Sequence, residues 1–373
     1  MNTPRVSFDN GPMGKPAVFS APVRVIRADT PDEVPTALQA LQDAQNDGHW
    51  LAGYASYELG YVFSDKLRDL MPADRDVPLI HFGVFDAPVE APDPAPNGPA
   101  TLSAPQPVWS LADYTAAYDQ VKAYIAAGDI YQANLTFPLH AQMTGSVDDL
   151  YAALRAKQKV PHGAMVDLGG PVLLSRSPEL FFSVDTNRNL HARPMKGTAP
   201  RGGTPAEDAA LARWLHKSEK NRAENLMIVD LLRNDMSRIS QIGTVKVPSL
   251  YAIETYATLH QMTSLITAKM RDEVELPEIF AALFPCGSIT GAPKIRAMQI
   301  IHELEAAARG VYCGAIGWIA PDGSMTFNVA IRTLTCFEDG TVRLNVGGGV
   351  VHDSEGGDEY QEALLKGQFA ALT

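Results

Sequence analysis

The sequence predicts an α+β fold, with helices and strands mixed but without the regular βαβ alternation of a parallel sheet. Helical runs and strand runs follow one another irregularly along the 373 residues. The stretch "GAIGWIAPDGSMTFNVAIRTLTCFEDGTVRLNVGGG" sets Pro-Asp-Gly and Glu-Asp-Gly turns between alternating runs, which reads as an antiparallel meander. No internal repeat occurs at solenoid periods. With 46% apolar and 20% charged residues, the chain has room for one large domain or two modest ones.

Taken in order, "PDEVPTALQALQDAQ" follows a Pro-Asp turn and has helical spacing, while "HWLAGYASYELGYVF" and "LIHFGVFDA" mix aromatic and β-branched residues as strands do. Residues 87–108 are dense in proline and alanine and cannot sustain a helix or a central strand. They are predicted to be an extended, exposed linker between a short front part, 1–86, and a long core, 109–373. "LADYTAAYDQVKAYIAAGD" is an amphipathic helix with Tyr114, Tyr118, Val121 and Ile125 on one face and Gly128 as its stop. "IYQANLTFPLHAQM" then reads as a strand, and helices are predicted over 206–235, 275–284, 294–308 and 358–372.

Charge and cysteine usage narrow the function. A formal charge of -12, with no cluster of basic residues, argues against nucleic-acid binding, so a small anionic substrate would need a local trap. Cys286, Cys313 and Cys336 lack C-x-x-C spacing and are too few for a disulfide scaffold, which fits a reducing cytoplasm. The N-terminus has no signal-type apolar region and no later run has eighteen apolar residues, so no membrane association is expected.

In "ARPMKGTAPRG", Lys196 has no carboxylate beside it in sequence; it is a solvated charge, a phosphate hook or a nucleophile. Glu359, Glu362 and Lys366 fall at i, i+3 and i+7 of the last helix and share a face, either a solvated stripe or the wall of a site. Three glycines just before it, in "VGGGVV", let the backbone approach a ligand closely. Carboxylates without a His and Cys cluster suit Mg2+ better than Zn2+. Glu224 lies in the apolar helix "NRAENLMIVDLLRND" as a buried charge needing a partner, while Asp230 and Arg233 read as a brace of the fold. "PCGSITGAPKIRAMQ" is a turn into a helix, hence an anion site or an ordinary capped helix, and its spacing is not that of a P-loop. Arg332 of "AIRTL" is placed in mid-strand, facing solvent or a carboxylate ligand. A histidine in surroundings like those of His260, in "TLHQMTS", is ordinarily a satisfied core residue.

Together, "SRSPELFF", "RPMKGTAPRG", "RAENLMIVDLLRND", "CGSITGAPKIRAM", "RGVYCGAIGW", "NVAIRTL" and "GGGVVHDSEGGDEYQE", in this order over residues 110 to 370, resemble the chorismate-binding enzyme family. That family includes anthranilate, isochorismate and salicylate synthases and the synthase component of 4-amino-4-deoxychorismate formation. The resemblance implies large antiparallel β-sheets packed in a sandwich with flanking helices. It also implies one Mg2+ held by Glu224, Glu359 and Glu362. Thr290, Gly291, Tyr312, Arg332, Gly348, Gly349 and Lys366 would surround the carboxylates of chorismate, and His260 would approach the ring.

Within the family, Pro194-Met195-Lys196-Gly197-Thr198 is similar to the segment of the aminodeoxychorismate-forming members, where anthranilate synthases typically carry alanine in place of the lysine. The water-activating lysine of isochorismate synthases aligns with Gln132. The resemblance implies that Lys196 is the nucleophile and Glu179 the proton donor to the departing hydroxyl. The amine could then act only if burial lowers its pKa. Ammonia would come from a glutamine amidotransferase subunit or from free ammonium, and a downstream aminodeoxychorismate lyase would release 4-aminobenzoate, the folate precursor. The rival expectations are an anthranilate synthase-like enzyme and a non-catalytic chorismate-binding subunit. Asn221 departs from the acidic residue that many relatives carry three places before Glu224, and the front part is short for a tryptophan pocket.

Overall fold

Strand side chains divide between two apolar environments in the computed structural model, which describes residues 3–91, 97–256, 259–305 and 307–372. Along Trp50–Ala55, Ala52 and Tyr54 join one core while Leu51 and Ala55 join another. Along His162–Asp167, Ala164 and Val166 point one way and Met165 the other. Because successive strand residues face opposite sides, a strand apolar on both must be covered on both. The solution here is four layers, two sheets face to face with helices outside each. Val6, Phe19, Val166 and Leu173 of one sheet meet Tyr54, Phe85, Ile316 and Trp318 of the other in the central core. Helix Leu111–Ala126 packs outside the first sheet, and helices Val34–Asn46 and Glu219–Ser237 outside the second.

Among the described residues the first sheet has 11 strands and the second 10, and every pairing is antiparallel. The first runs Gly291–Ala292, Gln132–Thr144, Thr341–Val350, Thr333–Cys336, Val172–Ser177, His162–Asp167, Arg5–Phe8, Ala17–Ser20, Val89–Glu90. The second runs Met195–Pro200, Leu259–Lys269, Asn189–Arg193, Leu180–Val184, Met325–Val329, Ala315–Ile319, Trp50–Ala55, Ile80–Phe85, Arg24–Ala28. This is the antiparallel sandwich with flanking helices that the family resemblance implied. Strands from before the proline-rich segment sit in both sheets beside strands from after it. Within that segment Val89–Glu90, Thr101–Leu102 and Gln106–Pro107 pair at sheet edges, while residues 92–96 lie outside the described residues.

Local readings differ from the structure in several places, beyond helices that end earlier than expected, at Leu304 and Gly367. The C-terminal run is not one meander. It is two hairpins, Ala315–Ile319 with Met325–Val329 and Thr333–Cys336 with Thr341–Val350, in different sheets. Arg332 is therefore in the connection between sheets, at φ 51, and not in mid-strand. The helix expected over 206–235 is two helices, because Ser218 breaks away at ψ 112 and caps the second through Asn221 N. Leu226 on that second helix is 41% exposed although its neighbours Ile228 and Val229 are buried. The strand expected from His49 to Phe63 ends at Ala55, and Leu59–Val62 is a helical turn.

Candidate active site

Two crossings between the sheets create the centre of the site. Val172–Ser177 lies in the first sheet and Leu180–Val184 in the second, so the chain changes sheets at Glu179. Met325–Val329 and Thr333–Cys336 cross the opposite way, at Arg332. The crossings are stitched together: Val329 N donates to Glu179 O at 3.1 Å, Arg176 N to Arg332 O at 2.9 Å, and Ser177 Oγ to Val329 O at 2.6 Å. Glu179 is only 5% exposed, and burial pushes its carboxyl pKa up against the pull of a hydrogen bond from Ser288, of Lys196 and of Arg332. Ser288 Oγ donates to Glu179 Oε1 at 2.8 Å, and Cys286 Sγ lies 3.2 Å from Ser288 Oγ. The half-buried Arg332 has its own pKa lowered by burial, with Glu179 opposing.

Lys196 enters from the edge strand Met195–Pro200. Its half-buried amine is engaged by no hydrogen bond or ion pair among the described residues. Burial lowers its pKa, Glu179 and Glu224 pull it back, and Lys366 pushes it further down. An amine and a carboxyl that burial drives toward neutrality thus lie within electrostatic reach of each other, an arrangement that recurs where acid–base or nucleophilic chemistry is done.

The opposite wall is the edge of the first sheet. Gly291 pairs with Ala133, and Gly348 and Gly349 pair with Leu135 and Asn134, which brings Thr290, Gly291 and the glycine run together. A Cβ on Gly348 would stand 3.0 Å from Glu359 Oε2 and 3.4 Å from Lys366 Nζ, so glycine is what admits helix Gly356–Gly367 this close. Lys366 Nζ bonds Gly347 O at 3.0 Å and pairs with Glu362 at 2.9 Å. Glu224 faces Glu359 and Glu362 from helix Glu219–Ser237. Burial raises the pKa of Glu224, Lys196 and Lys220 oppose, and the two other glutamates add to the rise. Burial and Glu362 likewise raise Glu359, whereas Lys366 holds Glu362 below the usual range. Among the described residues no three such side chains stand at metal-cage spacing. Gln132, buried beside Gly349, leaves both amide atoms without a partner among the described residues.

Two residues of the expected set have buried partners of their own. His260 is buried with both ring nitrogens engaged, Nε2 with Asp208 at 2.9 Å and Nδ1 with Thr255 at 3.0 Å. Tyr312 is buried beside Cys313 and Arg309. Asp230 and Arg233 pair with each other at 2.7 Å on the surface. Ser288 and Lys220 join the site without having been singled out in the sequence, although Ser288 lies within the flagged turn "PCGSITGAPKIRAMQ".

The chain matches the family described as chorismate binding enzyme over residues 3–371. It belongs to the chorismate-binding enzyme family. It is 42% identical over 276 residues to an aminodeoxychorismate synthase of Streptomyces griseus, a match covering 74% of this chain and 38% of that protein. It is 43% identical over 253 residues to aminodeoxychorismate synthase component 1 of Escherichia coli K12, covering 68% of this chain and 55% of that protein. The chain thus spans about half the length, or less, of these chorismate-binding relatives. The crystal structure of anthranilate synthase component I from Streptococcus pneumoniae TIGR4 superposes with a TM-score of 0.79 at 25% identity, covering 99% of this chain and 91% of that one. No helix among the described residues is long and apolar enough to cross a membrane.

Proposed function

We propose that this chain aminates chorismate at C4, giving 4-amino-4-deoxychorismate. The observation that carries the reading is the unpaired, half-buried Lys196 amine beside the buried Glu179 carboxyl. A lysine at its ordinary pKa is neutral in about one molecule in 2,500 at pH 7, a deficit of about 4 to 5 kcal/mol that burial reduces. Lys196 Nζ forms a bond to the ring as the C4–O bond breaks, and the Glu179 proton leaves with the oxygen as water. Ammonia then forms the C4–N bond as the lysine–ring bond breaks, and a proton from the new amine returns to Glu179. Arg332 and the Thr290–Gly291 and Gly348–Gly349 backbones would hold the substrate carboxylates, with Gln132 offering an amide that no other described residue satisfies.

The donor chemistry around Glu224, Glu359 and Glu362 fits a hard divalent cation, because these oxygens raise one another's affinity for positive charge. When bound, Mg2+ would neutralise them and draw a substrate carboxylate to the site. A glutaminase subunit as ammonia source, a separate lyase for the product and a cytoplasmic location belong to the same proposal. The "component 1" of the Escherichia coli relative's name supports a partner component.

The test supplies chorismate, ammonium and Mg2+, with and without an added lyase. Amination at C4 predicts 4-aminobenzoate only when lyase is present, and its loss in Lys196→Ala. Direct anthranilate fluorescence without lyase supports the anthranilate synthase-like alternative, and no turnover in clean protein supports a non-catalytic subunit.

A further inference from the structure

We propose that Gln261 is a positioning residue for the Lys196 amine, acting by clamping the β-bulge that presents it; the role in catalysis rests on the amination reading above. Met195 stands opposite Thr263 and Thr198 opposite Gln261, so Lys196 and Gly197 together face the single residue Met262. A bulge of this kind leaves a residue outside the ladder, bends the strand and re-aims a side chain.

Nothing at the tip of Lys196 fixes its direction, since its amine makes no hydrogen bond or ion pair among the described residues. The direction is therefore set by the peptide that follows it. Gln261 Nε2 donates to Gly197 O at 2.8 Å, and Gln261 Oε1 accepts from Thr198 Oγ1 at 3.1 Å. On the other flank Asn221 fills the space where a Gly197 Cβ would sit, 2.8 to 2.9 Å from its side-chain atoms. Asn221 is itself held by Ser218 Oγ at 2.8 Å. Gly197 has φ +88, a conformation in which the peptide turns readily once its carbonyl is released. Gln261 is a firm anchor because its strand, Leu259–Lys269, is bonded to Met195–Pro200, Asn189–Arg193 and Lys246–Thr255.

A nucleophile displaced by about 1 Å loses on the order of a hundredfold in rate. The test compares wild type with Gln261→Leu, which removes both bonds at similar volume, and Gln261→Glu, which keeps only the acceptor. With chorismate, ammonium, Mg2+ and added lyase, both variants should lose about 10- to 100-fold in kcat while KM for chorismate stays within about twofold. With ammonia withheld, mass spectrometry should show the Lys196 adduct forming more slowly by the same factor. A readout that needs no reaction is the pH dependence of Lys196 labelling by an amine-directed reagent. Its midpoint should move up toward that of an ordinary lysine in Gln261→Leu, as the amine swings toward water. An unchanged labelling midpoint, or an adduct rate within twofold of wild type, overturns the proposal. If wild type forms no adduct, the amination reading fails on its own, and the labelling midpoint still decides whether Gln261 orients Lys196.

Discussion

Ser288 donates its hydroxyl to Glu179 Oε1 at 2.8 Å from a loop 109 residues away in sequence. The bond favours the ionised form of a carboxyl that burial favours as the acid. Ser288→Ala should therefore raise the pKa of Glu179 further. A proton donor is competent below its pKa, so the limb of the pH–rate profile that reports it should move to higher pH. The orphaned carboxyl oxygen should also cost about 1 kcal/mol in urea unfolding.

Lys196 carries a linkage signature independent of turnover. Its folded pKa is depressed, so the charged amine costs stability at low pH, and that cost is relieved as pH rises through the folded value toward the ordinary one. Lys196→Met should unfold at a higher temperature than wild type at pH 7, and the difference should shrink as pH rises toward 10. Calorimetric melting at several pH values checks this.

Gly197 has two reasons to be glycine, its positive φ and the Asn221 side chain against it. Gly197→Ala should lose about 1 to 2 kcal/mol of stability from backbone strain alone. Adding Asn221→Ala should recover only the part due to crowding. Chemical denaturation of the single and double variants separates the two contributions.

Glu58 is a buried carboxyl that accepts Arg309 N at 2.7 Å and Gly310 N at 3.1 Å, and burial pushes its pKa up to about 7. For a raised carboxyl, the stability contribution is present at low pH and lost as pH rises through the folded pKa. Glu58→Gln keeps an acceptor but cannot ionise. Relative to wild type it should gain stability, on the order of 2 kcal/mol, between pH 5 and pH 8. Equal pH slopes in the two proteins would contradict this.

Glu224→Gln and Glu359→Gln should each weaken Mg2+ binding by about tenfold or more, measured calorimetrically in the presence of chorismate. Without Mg2+ the same variants should melt at a higher temperature than wild type. Each removes one of the raised carboxylates from a cluster of like charge.

Residues whose partners are local, or whose motif is contiguous, could be read from the sequence. The helix at Leu111–Ala126 announces itself through its Tyr114–Tyr118–Val121 face and the Gly128 stop. The expected grouping of Lys196, Glu179 and the glutamates needed the family's motif order, since no spacing rule joins residues from different sheets. Arg332 was misread because alternating apolar residues continue through Ala330–Ile331, and a change of sheet has no local signal. The break at Ser218 was hidden by flanking helix formers on both sides. Gln261 and Ser288 were illegible for a third reason: their partners lie 64 and 109 residues away, so only the folded chain brings them together.

The twin passages at Glu179 and Arg332 make the two sheets mechanically dependent on each other. Sliding one layer over its neighbour by a single residue would drag the acid and the guanidinium out of alignment together, so the sandwich interface acts as the site's registration mark. A substitution deep in that interface, at Phe19 or Trp318, should therefore blunt the proposed turnover without altering Glu179 or Arg332 themselves.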